Sequence, residues 1–193
     1  ILPEDDKLLR MNVGNELWHT DSTFIRPRST ISMLYGRTVP PHGGQTEYCD
    51  TRCAYEALSD HERMGLEGLM AFHSLLHSRS LTGFFDFTEE DRKVFAGVER
   101  PLIERHADSG RTAICLASHI AHIEGMADDE AAALVGRLMA LATRPDYVYS
   151  HHWRAGDLLL WDNRCTMHRA TPFESNKYVR DMRILRLTDE LDR

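Results

Sequence analysis

His19 and Asp21 stand two apart in "NELWHTDSTF", near the start of the chain. On a strand, residues i and i+2 share a face. An extended Leu17–Asp21 would therefore aim an imidazole and a carboxylate at one point and turn Thr20 away. Such a pair suits a borderline divalent metal, although a short His-x-Asp spacing is common by chance. A third ligand is available in His168, far downstream in "GDLLLWDNRCTMHRATPF". The apolar run "GDLLLW" reads as a buried strand entered through a Gly-Asp turn, and Asp162 and Asn163 supply turn residues that position His168. Two histidines and one carboxylate on one face of an iron leave the remaining positions open, the arrangement of oxygen-activating non-haem enzymes.

Two further residues extend this reading. Thr46 follows the tight turn in "PPHGGQTEY", and Arg180 opens the strand-like stretch after His168. A guanidinium and a hydroxyl together can hold the distal carboxylate of a keto-acid, through a charge-assisted fork and one neutral donor. Each has a plainer explanation: Thr46 as a β-branched strand residue, Arg180 as half of a weak surface ion pair. Trp161 reads equally as core or as pocket wall. His119 and His122 have no third ligand beside them and read as polar pocket or surface residues, with a substrate contact as the sharper reading of His119. His151 and His152 alternate between the faces of a strand and carry no chemistry.

The elements that must position these residues are mostly strands. "TISMLYGRTV" (30–39) is β-branched and aromatic and stops at Pro40-Pro41. "QTEY" is a short strand leading into a helix over 51–58. Ser59 and Glu62 form a capping box for the next helix, and "TEEDRKVF" is a further helical stretch. The clearest helix runs from Asp128, its expected cap, to Ala142, with Leu134, Val135, Leu138, Met139 and Leu141 on an apolar face. "PLIER", "RTAICLA", "YVYSHHW", "DLLLWD" and "RILRLT" complete a strand-rich pattern without regular βα alternation. The expectation is a mainly β sandwich or barrel with helical insertions, in one domain spanning 1–193, since no repeat, low-complexity tract or linker divides the chain.

The totals exclude some partners. The 193 residues carry a net charge of −7, which argues against a nucleic-acid surface while leaving room for a small anion held by local arginines. No run of ~18 apolar residues could span a membrane, and no leader of the secretory kind is visible. The four cysteines, Cys49, Cys53, Cys115 and Cys165, are scattered. Cys49 and Cys53 have the spacing of one helix face, but no second close pair completes a thiolate zinc site. They read as reduced thiols of a cytoplasmic protein.

The chain resembles the taurine/phenoxyacetate group of Fe(II)- and 2-oxoglutarate-dependent dioxygenases. The likeness runs from "NELWHTDSTF" through "PPHGGQTEYCDTRCAYEAL", "HADSGR", "ASHIAHIEG" and "WRAGDLLLWDNRCTMHRATPF" to "VRDMR". "SRSLTG", "HADSGR" and "ASHIAHIEG" are more similar to the 2,4-dichlorophenoxyacetate branch than to the taurine branch. The resemblance implies a double-stranded β-helix, or jelly roll, with iron on His19, Asp21 and His168. It implies 2-oxoglutarate held by Thr46 and Arg180 beside Trp161, O₂ as co-substrate, and a substrate contact at Asn15. The implied reaction is hydroxylation of a small organic anion such as an aryloxyalkanoate, with succinate and CO₂ released. A sulfonate or sulfate ester is the alternative substrate, and homo-oligomers are expected. The carboxylate Asp21 matters, because iron halogenases of this superfamily lack it.

Rivals from other classes are an inactive jelly-roll binding module and a zinc hydrolase using the same three ligands; the latter would have no use for Thr46 and Arg180. The chain departs from the family in two ways. Relatives carry more chain ahead of the His-x-Asp strand, so an N-terminal segment is expected to be missing. Relatives also place a second arginine where this chain has Ile184. Arg183 is adjacent, expected on the opposite face unless a bulge redirects it toward substrate. Arg186 shares a face with Arg180 but lies about 20 Å along a regular strand, too far to share one small ligand.

Overall fold

A computed structural model describes residues 6–188. Asp6 caps α1 (Lys7–Asn12), accepting from the Leu8 and Leu9 N–H groups, and a 3₁₀ turn (Val13–Glu16) leads toward His19. The chain then forms β1 (Ser29–Thr38), β2 (Thr46–Asp50), α2 (Thr51–Glu56), α3 (Asp60–Leu66), β3 (Met70–His73) and α4 (Leu75–Ser80). Next come α5 (Glu89–Val94), β4 (Val98–Pro101), β5 (Ile103–Arg105), β6 (Thr112–Ile114), β7 (Ile120–Ile123) and α6 (Asp128–Ala142). β8 (Val148–His151), β9 (Leu158–Asp162), β10 (Thr166–Ala170) and β11 (Asp181–Thr188) complete the described chain.

The strands pair antiparallel in the orders β11-β1-β9, β10-β2-β8, β4-β3-β7 and β5-β6. The fold is mixed α/β with a β-sheet core, not mainly β: α1 and α4 occupy stretches whose short apolar runs show no clear helical period. The capping box at Ser59 and Glu62 forms. α6 spans the expected residues, but Ala127 is its N-cap and makes no side-chain bond. Asp128 instead joins Asp129 and Glu130 in the first turn, where negative charge meets the positive end of the helix dipole. Cys49 lies on β2 and Cys53 on α2, so they share no helix face.

The β10-β2-β8 sheet separates core from cavity through strand alternation. Cys49 pairs with Met167, and both point into the main hydrophobic cluster with Ala54, Leu102, Leu116 and Leu138. The intervening pairs, His168 with Tyr48 and Ala170 with Thr46, occupy the other face. That face looks across a cavity toward Leu34 of β1, Trp161 of β9 and Ile184 of β11. The outer face of the β11-β1-β9 sheet is apolar and exposed at Leu158, Leu160, Leu185 and Leu187.

Met167 is fully buried and forms the floor behind His168. Met167→Ala is expected to lower the unfolding free energy by about 2–5 kcal/mol, read as a lower urea midpoint at unchanged m-value.

Candidate metal centre

His19 does not belong to a regular strand. It forms a single antiparallel bridge to His168, with His19 N–H donating to the His168 carbonyl at 3.0 Å and His168 N–H donating to the His19 carbonyl at 2.8 Å. This backbone exchange sets the two imidazole centroids 4.3 Å apart. Asp21, buried two residues on, completes a group whose ligand atoms all lie within 4.8 Å of one another.

The surroundings fix each ligand. His19 Nδ1 lies 2.7 Å from the Leu17 carbonyl; as the donor there, it leaves Nε2 with a free lone pair. Asp21 Oδ2 accepts from Ser32 Oγ at 2.7 Å, and Ser32 Oγ in turn accepts from Asn163 Nδ2 at 2.8 Å. Asn163 Oδ1 accepts from Trp161 Nε1 at 2.9 Å. The other carboxylate oxygen, Oδ1, accepts from Arg186 Nη2 at 3.1 Å. Register explains the convergence: Ser32 is paired with Trp161 on one side and Arg186 on the other.

Burial pushes His19 down, and it pushes His168 down to about 3 against the opposing pull of Asp21. Burial alone would raise the Asp21 carboxyl, but His168, Arg186 and His19, with the Ser32 hydrogen bond, outweigh it and hold it well below the usual carboxylate range. Two neutral imidazoles and one carboxylate are the protonation states a divalent metal requires. His168 makes no side-chain hydrogen bond among the described residues: Nδ1 is enclosed without a partner, and Nε2 stands 3.9 Å from Asp21 Oδ2. An ion between the three side chains would engage the Nε2 lone pair, which faces Asp21 and accepts no hydrogen bond among the described residues. The donor set therefore fits Fe(II).

The three ligands open into a cavity of about 850 Å³ that Thr46, Trp161 and Arg180 also line. Trp161 packs on the His168 ring at a centroid distance of 4.7 Å. Thr46 Oγ1 accepts from Trp153 Nε1 at 2.9 Å and from Arg180 Nη2 at 3.3 Å, which occupies both lone pairs and leaves the hydroxyl hydrogen to donate elsewhere. Arg180 also donates through Nε to the Gly44 carbonyl and has no carboxylate partner among the described residues. The turn ahead of Thr46 requires glycine. Gly43 and Gly44 have φ of 72° and 67°, and a Cβ at Gly44 would meet Pro40 at 2.9 Å and Arg180 Cδ at 3.3 Å.

Asn15 lines the same cavity, whereas His119 and Arg183 do not. His119 is buried behind His19, its Nδ1 2.8 Å from Ser78 Oγ, so the expected substrate contact is replaced by a supporting position. Arg183 points outward from β11, where alternation puts it opposite Met182 and Ile184; its side chain is 67% exposed and stands 3.8 Å from Asp181. No bulge redirects it toward the cavity. Arg186 departs from expectation in the other direction: its guanidinium reaches a metal-ligand carboxylate. Asp162 braces the turn before His168 as expected, with Arg164 and His106 bonded to it. Those bonds outweigh burial and draw its carboxyl down to about 2. His106, Asp162 and Cys165 lie close enough to suggest a second metal group, but His106 Nε2 is engaged with Asp162 and Nδ1 with Ser109.

Facing antiparallel sheets with two imidazoles and one carboxylate at the cavity define a 2-His-1-carboxylate metal protein. The family model described as "Taurine catabolism dioxygenase TauD, TfdA family" matches residues 3–188, and the chain belongs to that family. It is 44% identical over 163 residues to the alpha-ketoglutarate-dependent 2,4-dichlorophenoxyacetate dioxygenase of Cupriavidus pinatubonensis, covering 84% of this chain and 57% of that protein. It is 33% identical over 177 residues to the (S)-phenoxypropionate/alpha-ketoglutarate-dioxygenase of Sphingobium herbicidovorans, covering 89% and 62%. The crystal structure of AAD-2 with Mn(II) and N-oxalylglycine superposes with a TM-score of 0.93 at 38% identity, covering 98% of this chain and 68% of that one. The chain thus spans little more than half the length of the curated relatives it matches.

Ser32→Ala removes the donor to Asp21 and the acceptor for Asn163 together. It is expected to weaken divalent-metal binding about 10- to 100-fold by Mn(II) titration calorimetry, while Arg37→Ala, at an exposed ion pair with Asp181, leaves the affinity unchanged.

Proposed function

We propose that this chain is an Fe(II)- and 2-oxoglutarate-dependent dioxygenase that hydroxylates a small organic anion, with an aryloxyalkanoate such as 2,4-dichlorophenoxyacetate as the favoured substrate. The observation that carries this reading is the convergence of His19, Asp21 and His168 on a cavity whose wall also holds the bonded pair Thr46 and Arg180. A metal-only hydrolase has no use for that second pair. Fe(II), 2-oxoglutarate and O₂ together supply oxidative decarboxylation coupled to oxidation of a C–H bond.

The residues divide the remaining work. His19, Asp21 and His168 hold the metal. Arg180 and the Thr46 hydroxyl receive the far carboxylate of 2-oxoglutarate, as a half-buried cation and a spare donor, and Trp161 walls the pocket. Asn15 faces the substrate. Identities of 43–44% to 2,4-dichlorophenoxyacetate dioxygenases, against 33% to a sulfate ester dioxygenase of Pseudomonas putida, support the aryloxyalkanoate.

In this reading residues 1–193 act as one domain, and the facing sheets belong to a double-stranded β-helix. The setting is cytoplasmic, and no described helix is long and apolar enough to cross a membrane. The exposed leucines of the β11-β1-β9 sheet support association into homo-oligomers.

Anaerobic addition of Fe(II) and 2-oxoglutarate is expected to produce a weak visible charge-transfer band, absent from His168→Ala; a wild-type protein without the band rules the reading out. Arg180→Met loses a charge-assisted contact of about 1.5–3 kcal/mol. It should need roughly 10- to 100-fold more 2-oxoglutarate to develop the same band. Succinate release screened over phenoxyacetates, sulfonates and sulfate esters then tests the substrate class.

A further inference from the structure

An anionic substrate needs a cation, and the last strand does not offer a free one. Position 184 is an isoleucine, Arg183 points outward, Arg186 is bonded to Asp21, and Arg180 stands with Thr46. Another arginine lies behind Asn15. Arg79, on α4, is 7% exposed. Its Nη2 donates to Asn15 Oδ1 at 2.9 Å, while Nε and Nη1 are enclosed without a hydrogen-bond partner among the described residues. No carboxylate among the described residues pairs with it. Burial draws its pKa down with no opposing anion, and its charge is felt at both His19 and His119.

The chain makes room for this guanidinium. Gly14 passes directly over it, and a Cβ there would fall 2.3 Å from Arg79 Nη1. Asn15, the next residue, lines the cavity. Its carboxamide oxygen is held by Arg79, which leaves the Nδ2 hydrogens as the group available to a ligand; their one acceptor among the described residues is Asn12 Oδ1 at 3.4 Å. Burying an unpaired cation costs several kcal/mol. A negative charge brought in by a ligand would offset that cost.

Building on the dioxygenase reading, we propose that Arg79 is the positioning residue for substrate anions. It orients Asn15 as a donor and supplies the uncompensated positive charge that selects a carboxylate over a neutral group. Arg79 acts through Asn15 and through its field, behind the cavity surface.

The test compares phenoxyacetate with its neutral isostere phenoxyacetamide, each titrated by tryptophan fluorescence against wild type, Arg79→Met, Arg79→Gln and Arg79→Lys. Melting temperatures are recorded alongside. Wild type is expected to prefer the anion at least about 10-fold, the yield of one charge-assisted contact. The Met and Gln variants should lose that preference while binding the amide as before, without a lower melting temperature, and Lys should restore part of it. The proposal is overturned if wild type shows no anion preference or if the neutral variants keep it. It is also overturned if they weaken both probes equally as they lose stability, or if neither neutral variant folds, since Arg79 would then be structural. The Fe(II)/2-oxoglutarate band reports separately on the dioxygenase reading. Lost anion preference in a protein without that band would uphold Arg79 and reject the reaction.

Discussion

The site depends on one short piece of backbone pairing. Two reciprocal hydrogen bonds join His19 to His168, so residues from near the two ends of the chain become direct cross-strand neighbours. Side chains opposite one another in an antiparallel pair lie about 4.5–5.5 Å apart at Cβ, and the imidazoles are brought together by that geometry before any ion is present. Asp21 joins them only because the chain turns immediately afterwards, where Ser22 takes a positive φ of 59°. A slip of one residue in this bridge would send His168 toward the hydrophobic cluster and Met167 toward the cavity.

Charge is distributed around that bridge with little redundancy. The Asp21 carboxylate has one oxygen on Ser32 and the other on Arg186. Its orientation is therefore set by partners on a facing sheet as well as by its own buried turn. The Ser32–Asn163–Trp161 relay ties the same carboxylate to the turn that precedes β10. Both ends of the ligand set are thus fixed to β1 and its neighbours, and metal affinity is coupled to the packing of the two sheets.

The legible part of the site was the part marked by residue type and local spacing. His19 and Asp21 stood out by their spacing of two, although only His19 pairs as a strand residue and Asp21 lies in the turn that follows; His168 stood out behind the apolar run Leu158–Trp161, and Thr46 because glycine at Gly43-Gly44 announces a turn. Arg186 was not readable: distance along a strand from Arg180 says nothing about a partner across the sheet, and its reach to Asp21 follows from the Ser32 register. Asn163 looked like turn material for the same reason, since its partner Ser32 lies on a distant strand. Arg79 sits in a six-residue helix with no periodic signal, and an orphaned guanidinium exists only in three dimensions. His119 misled because a histidine near a pocket and one behind it have the same sequence appearance.

Strand alternation also explains how one sheet serves stability and chemistry at once. On β2 and β10 Cys49 and Met167 point into the hydrophobic cluster, beside the Glu47–Arg169 ion pair on the same face, and burial pushes the Cys49 thiol up to about 12, where it stays protonated. The face carrying Thr46, Tyr48 and His168 holds the polar groups, each within hydrogen-bonding or ring contact of another site residue. The buried core face supplies the free energy that keeps the polar face in place, while the His168 imidazole makes no hydrogen bond among the described residues. A site built this way should tolerate changes at its rim better than changes at Cys49 and Met167 beneath it, which lie outside the cavity lining.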